Sequence, residues 1–187
     1  MGTDRETACC FTGHREIPAG DMSGIREHLK REIERLYTEN GVTAFYAGGA
    51  TGFDAIASEA VIECRTGHSS IRLVIVMPHK EQAKRWSAEE KTQHEHIKGS
   101  ADEVICLAEH YYQGCMQRRN RYMVDRSSIC ICYLILIPDR NYQIFPAKFA
   151  PYGVAALARA TARVADGALS GANLSWKFFG TFYQGLV

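Results

Sequence analysis

The sequence predicts an α/β domain, a mainly parallel sheet with helices on both faces. Three observations lead there. Short apolar runs at residues 7–12, 42–47, 71–77, 103–107 and 128–137 alternate with stretches of helical periodicity. The run 71–77, Ile-Arg-Leu-Val-Ile-Val-Met, is almost continuously apolar, as a parallel strand covered on both faces requires. Between the second run and the helix-compatible residues 55–64 lies a glycine-rich turn, Tyr-Ala-Gly-Gly-Ala-Thr-Gly-Phe-Asp at 46–54. Strands alternating with helices imply crossover connections, hence a Rossmann-like three-layer sandwich. In such sheets ligands sit beyond the carboxyl ends of the strands, near the point where strand order reverses.

Each element has its own warrant. Residues 7–12 are β-prone and end at Gly13-His14-Arg15. Residues 23–40 place Ile25, Leu29, Ile33, Leu36 and Tyr37 on one helical face, with Ser23 as N-cap and Gly41 at the C-terminal end. In the helix after the glycine turn, Ile56, Ala57, Ala60, Val61 and Cys64 form the buried face and Gly67 closes it. Pro78 ends the third strand. Ser87-Ala88-Glu89-Glu90 fits a capping box and starts a polar helix running to about Lys98. Residues 114–125 read as a strongly basic helix carrying Arg118, Arg119 and Arg121, with Arg126 just beyond. The alanine-rich stretch 155–164 reads as helical, and the aromatic stretch 176–183 as either a homodimer contact or packing on the sheet.

Composition narrows the function classes. With 187 residues the chain suits one domain with a real core, and its net charge of +1 gives no global pull toward nucleic acid or anionic lipid. No apolar run approaches the ~20 residues that span a bilayer, and the N-terminus lacks a signal-peptide pattern, so no membrane partner and a cytoplasmic location are expected. The seven cysteines are odd in number and lack a Cys-x-x-Cys pair, so they read as small hydrophobes rather than a disulfide framework or zinc site. His94 and His96 stand two apart on a helix and face different ways, a poor metal pair. No metal is expected; a nucleotide-type ligand is.

The loops after successive strands gather the chemistry. They carry Gly13, His14 and Arg15; then Gly48, Gly49, Thr51, Gly52 and Asp54; then Pro78 and Gln82; then Tyr111 and Tyr112, with Arg119 and Asn120 in the helix that follows. Glycines let a backbone approach a ligand without a Cβ in the way, and the start of the next helix offers unpaired N–H groups and the positive end of its dipole. A glycine cradle, cations, an amide and aromatic surfaces fit an anionic, base-bearing ligand. Each member also has a plain structural role open to it. Arg15 and Arg119 can be solvated or paired, Tyr111 and Trp86 can pack at the rim, and Asp54 can cap its helix.

These residues resemble a known family. Cys10-Phe11-Thr12-Gly13-His14-Arg15, Gly48-Gly49-Ala50-Thr51-Gly52-Phe53-Asp54, Gln82 with Trp86, Ala101-Asp102 and Arg119-Asn120-Arg121-Tyr122-Met123-Val124-Asp125 are similar to the YpsA-like branch of the SLOG superfamily. The resemblance spans roughly residues 8–134 and implies a Rossmann-like fold related to the DNA-processing protein DprA and to LOG phosphoribohydrolases. It also implies binding of nucleotides, nucleotide derivatives or single-stranded nucleic acid, with Gly13, Arg15, Gly48, Gly49, Gly52, Asp54, Arg119 and Asn120 lining the pocket. Two features depart from it. The LOG signature Pro-Gly-Gly-x-Gly-Thr-x-x-Glu is absent, and no Gly-Gly-Thr turn follows the fifth strand. The family-like domain is therefore placed at residues 1–137, and residues 138–187 are read as a divergent segment completing the same domain.

Three function classes follow. The favoured one is binding or sensing of a nucleotide or nucleotide-derived small molecule at the carboxyl edge of the sheet. The second is hydrolysis of a nucleotide N-glycosidic bond, which needs a carboxylate at the rim; Asp54, Glu59 and Asp125 are the candidates. The third is single-stranded nucleic acid binding through the basic helix with aromatic stacking, against which the near-neutral charge counts.

Overall fold

A computed structural model describes residues 5–133 and 155–157. Strands β1 (Ala8–Gly13), β2 (Ala44–Ala47), β3 (Arg72–Met77), β4 (Glu103–Cys106), β5 (Ile129–Tyr133) and β6 (Ala155–Leu157) form one sheet in the order β4-β3-β2-β1-β5-β6. Every pairing is parallel. Helices α1 (Met22–Asn40), α2 (Phe53–Arg65), α3 (Ala88–Ser100) and α4 (Cys115–Asp125) make the connections. This is the α/β Rossmann-like layout expected from the sequence. The order steps outward from β1 to β4 and then returns to β5, so it reverses between β1 and β5, and α4 is the returning crossover.

Alternation along the strands divides the core in two. Cys9, Phe11, Phe45, Ala47, Leu73, Ile75 and Met77 face α1, α2 and α3 and bury Leu29, Ile33, Leu36, Ala57, Val61 and Ile97. Ala8, Cys10, Ala44, Tyr46, Val74, Val76 and Cys130 face the other way, onto Met123 of α4. β3 is buried on both faces because helices cover both, which is why its sequence is a run rather than an alternation. β4 lies at the sheet edge and is largely exposed.

Several local expectations change. The N-cap of α1 is Asp21, not Ser23, because a single turn at 19–21 feeds the helix two residues earlier. Gly41 closes α1 as expected: at φ 66° it is left-handed and its N–H donates to the Leu36 carbonyl. α2 ends at Arg65 with Thr66 as C-cap, so Gly67 lies beyond the closing residue. The Ser87/Glu90 capping box forms in both directions. Residues 155–157, expected to be helical, instead form β6; alanine's helical preference, worth under about 1 kcal/mol per residue, yields to pairing with β5. The stretch 176–183 and the segment after β5, where the family resemblance implies a Gly-Gly-Thr turn, lie outside the described residues.

Candidate functional site

The first carboxyl-edge loop follows β1. Its Gly13 has no room for a side chain, because a Cβ there would meet the Phe53 ring at 2.7 Å. Phe53 opens α2, stacks on Tyr133 at 5.6 Å and meets Phe11 edge-on at 6.4 Å, so it fastens the end of β5 to that of β1. Its N–H donates to the His14 carbonyl at 3.0 Å. Gly52 precedes it at φ 73° and ψ −126°, backbone that only glycine adopts readily, and a Cβ there would overlap the Arg15 carbonyl. The β1 and β2 loops are therefore pressed together, with His14 and Arg15 lying along the glycine turn.

The glycines of residues 48–52 serve the protein's own groups. A Cβ on Gly48 would overlap the Arg119 guanidinium, and one on Gly49 would meet Ile75 at 2.9 Å. The sequence suggested that this room is kept for a ligand; the space is filled from within. Arg119 Nη1 donates to the Gly48 carbonyl at 2.6 Å, and its Nε donates to Asn120 Oδ1 at 2.7 Å. The same Nη1 lies 3.6 Å from Asp54 Oδ2, both residues being buried. α4 starts at the carboxyl edge on one face of the sheet and α2 starts there on the other, so the side chains of Arg119 and Asp54 meet over the end of β2.

The electrostatics follow from that burial. Desolvation pushes the Asp54 carboxyl up, opposed by Arg119, backbone hydrogen bonds at Ala50 and Gly48, and Arg15. Desolvation likewise pushes Arg119 down, opposed by Asp54 and reinforced by Arg15. Burial thus acts against the charged form of each group, and the partner's opposite charge acts for it. Asp54 is not the cap of α2; that position is Gly52, and the carboxylate turns back into the loop. Arg15 is exposed, acts on both charges, and has no hydrogen bond or ion pair of its guanidinium among the described residues.

The β3 loop closes a third side. Gln82 is buried, and its Nε2 donates to the carbonyls of Gly49 at 2.7 Å and Gly48 at 3.3 Å. His94 of α3 is buried beside Gly49 and meets Trp86 edge-on at 5.1 Å, which makes Trp86 rim packing. His79, not among the residues the sequence singles out, is buried at the end of β3 with its ring 5.7 Å from that of Tyr111. Its position directly after Pro78, at the mouth of a buried strand, was the available signal. Tyr111 is 62% exposed and Thr51 half-buried.

So the structure brings Gly13, His14, Arg15, Gly48, Gly49, Thr51, Gly52, Asp54, Gln82, Arg119 and Asn120 to one edge, with Tyr111 beside His79 on the β4 side. It does not bring the other candidate carboxylates there. Glu59 lies two turns into α2, facing Arg26 at 3.5 Å and Gln93, and Asp125 ends α4 at the opposite edge. The basic helix is not one cationic stripe either. Arg119 is buried, Arg118 donates to Tyr112 and the Leu107 carbonyl, and Arg126 lies 3.6 Å over the Tyr122 ring. Among the described residues no cluster of three or more His, Cys, Asp or Glu is arranged to hold a metal ion. No helix there is long and apolar enough to cross a membrane.

Residues 10–140 match the family described as the YspA SLOG family. The chain is 32% identical over 122 residues to an uncharacterized SPbeta prophage-derived protein, YoqJ, of Bacillus subtilis, covering 59% of this chain and 71% of that one. It is 23% identical over 133 residues to a UPF0398 protein of Staphylococcus aureus strain JH9, covering 70% and 68%. A solved structure of DNA processing protein A from Helicobacter pylori, titled for its single-stranded DNA binding mode, superposes with a TM-score of 0.48 at 17% identity. That match covers 72% of this chain, which spans 57% of the other protein's length.

Proposed function

Since the chain belongs to the YspA SLOG family, we propose that it binds a nucleotide or nucleotide-derived small molecule at the carboxyl edge of β1, β2 and β3. The broad class is nucleotide or nucleic-acid binding, and the site favours a compact ligand within it. One observation carries the reading: exposed Arg15 lies along a glycine turn already fixed from both sides by Arg119 and Gln82. A preorganised turn loses little freedom when a ligand arrives. The charges there are Asp54, Arg119 and Arg15, which leaves one positive charge over to meet a phosphate. Arg119 is buried and commits its Nη1 to Gly48 and its Nε to Asn120, so it shapes the turn while exposed Arg15 meets the anion.

An extended strand of nucleic acid is less well served, since Arg118, Arg119 and Arg126 point to separate partners. N-glycosidic hydrolysis would have to use Asp54, the candidate carboxylate at this edge. The test is thermal unfolding of the full chain with AMP, ADP-ribose and NAD. A ligand at a hundred times its dissociation constant adds about 2.7 kcal/mol of stability. The expected result is a rise in midpoint with at least one of them, lost in Arg15→Ala while the unliganded midpoint stays put. No rise with any of the three overturns the proposal.

A further inference from the structure

Two buried polar atoms in the β3 loop have no partner: Gln82 Oε1 and His79 Nδ1. Both side chains are more than nine-tenths buried, and they stand three residues apart in one turn closed by the Gln82 N–H on the His79 carbonyl at 3.3 Å. The orientation of the Gln82 amide is fixed, because its nitrogen faces two carbonyl oxygens, on Gly48 and Gly49, where an oxygen would be repelled. The unmatched atom is therefore an acceptor. Native proteins rarely leave such an atom bare, and a binding site is a standing reason to do so.

We propose that this turn is a base-recognition subsite whose Gln82 Oε1 accepts a hydrogen bond from the exocyclic amino group of the ligand's base. The inference rests on the nucleotide-binding reading above. The anion end of the ligand lies by Arg15, on the β1 and β2 loops. The base end reaches the β3 loop, where His79 presents a second unmatched atom and Tyr111 an aromatic face largely open to solvent. An amino group has hydrogens to offer such an acceptor; a carbonyl at the same ring position has none and would leave Gln82 Oε1 facing another oxygen. A site built to take a hydrogen bond rejects the analogue lacking the donor.

The experiment is calorimetric titration of the full chain with AMP against IMP and CMP against UMP, pairs that differ in amino versus oxo at one position. The expected result is tighter binding of the amino member by about tenfold or more in at least one pair. Gln82→Met, similar in size but without the acceptor, is expected to bring that ratio to within about twofold. Because that variant also loses two hydrogen bonds to the turn, Tyr111→Ala serves as a second one on an exposed position. It should weaken both members of a pair equally and leave the ratio intact. Equal affinities within both pairs, an oxo preference, or a ratio that survives Gln82→Met overturns this inference and leaves the binding reading standing. Absence of binding by all four nucleotides overturns this inference, and the binding reading falls with it when ADP-ribose and NAD also fail to raise the midpoint.

Discussion

Asp54 Oδ2 and Arg119 Nη1 stand 3.6 Å apart although their helices pack on opposite faces of the sheet. The contact bridges the end of β2 and passes through the one place where Gly48 leaves room for it. Both charges are buried, so removing one strands the other in a poor solvent. Arg119→Met is expected to cost about 3–5 kcal/mol in urea unfolding, the range for breaking one partner of a buried pair. Asp54→Asn, which keeps a polar group beside the same backbone amides, should cost less, about 1–3 kcal/mol. The double variant should recover part of the sum, because neither charge is then alone. A cost under about 1 kcal/mol for Arg119→Met would mean that water reaches the pair.

Two glycines give opposite expectations for the same substitution. Gly52→Ala forces a Cβ onto the Arg15 carbonyl at a left-handed φ of 73°, so both backbone strain and overlap oppose it. A loss of more than about 2 kcal/mol is expected, with the placement of Arg15 disturbed as well. Gly24→Ala, in the first turn of α1 with nothing within 4 Å, should stabilise by about 0.5–1 kcal/mol. Denaturant midpoints of the two single variants, compared with the parent, decide the point. If both move the same way, the packing of the β1 loop on the β2 loop is wrong.

Much of this architecture was legible because its causes are local. The continuous apolar run of β3, the Ser87/Glu90 box and the face of α2 through Ile56, Ala60 and Cys64 each follow from a periodicity or a cap. What was not legible depends on who approaches whom. The residues of the glycine turn announced close contact, but sequence alone could not say that the visitors are Arg119, Ile75 and the Arg15 backbone rather than a ligand. Arg119 looked like one of a row of cations; its burial follows from α4 crossing the end of β2. Ala155–Leu157 show the converse, since pairing with β5 outweighs the helical preference of alanine.

His94 sets an expected pH response. Burial first, and Lys98 second, hold its imidazole below the ordinary value of 6.5. The unfolded chain therefore takes up a proton that the folded chain refuses. The contribution is at its full value above pH 6.5 and is lost as the pH falls through that value toward the depressed one. His94→Gln keeps a donor near Gly49 without a titrating group, so its thermal midpoint should fall less between pH 7 and pH 5 than the parent's. Parallel midpoint curves for the two proteins would show that folding leaves the His94 imidazole at its unfolded value.

The thiols should report the packing of the sheet directly. Cys106 is exposed at the edge strand β4, whereas Cys9, Cys10, Cys64, Cys115 and Cys130 are buried. Burial pushes the Cys9 thiol up, and contact with Cys130 together with burial does the same for Cys10. Cys64 is pushed up to about 11 by burial, so at pH 8 roughly a thousandth of it is thiolate, the reactive form. Alkylation at pH 8 followed by peptide mass mapping should label Cys106 first. Cys9, Cys10 and Cys130 should wait for opening of the β1–β5 pair, and their labelling should accelerate together in sub-denaturing urea. Labelling of Cys10 as fast as Cys106 in native buffer would mean that α4 does not cover that face of the sheet. The contact between Asp54 and Arg119 would then lose its geometric basis too, since it depends on the same helix.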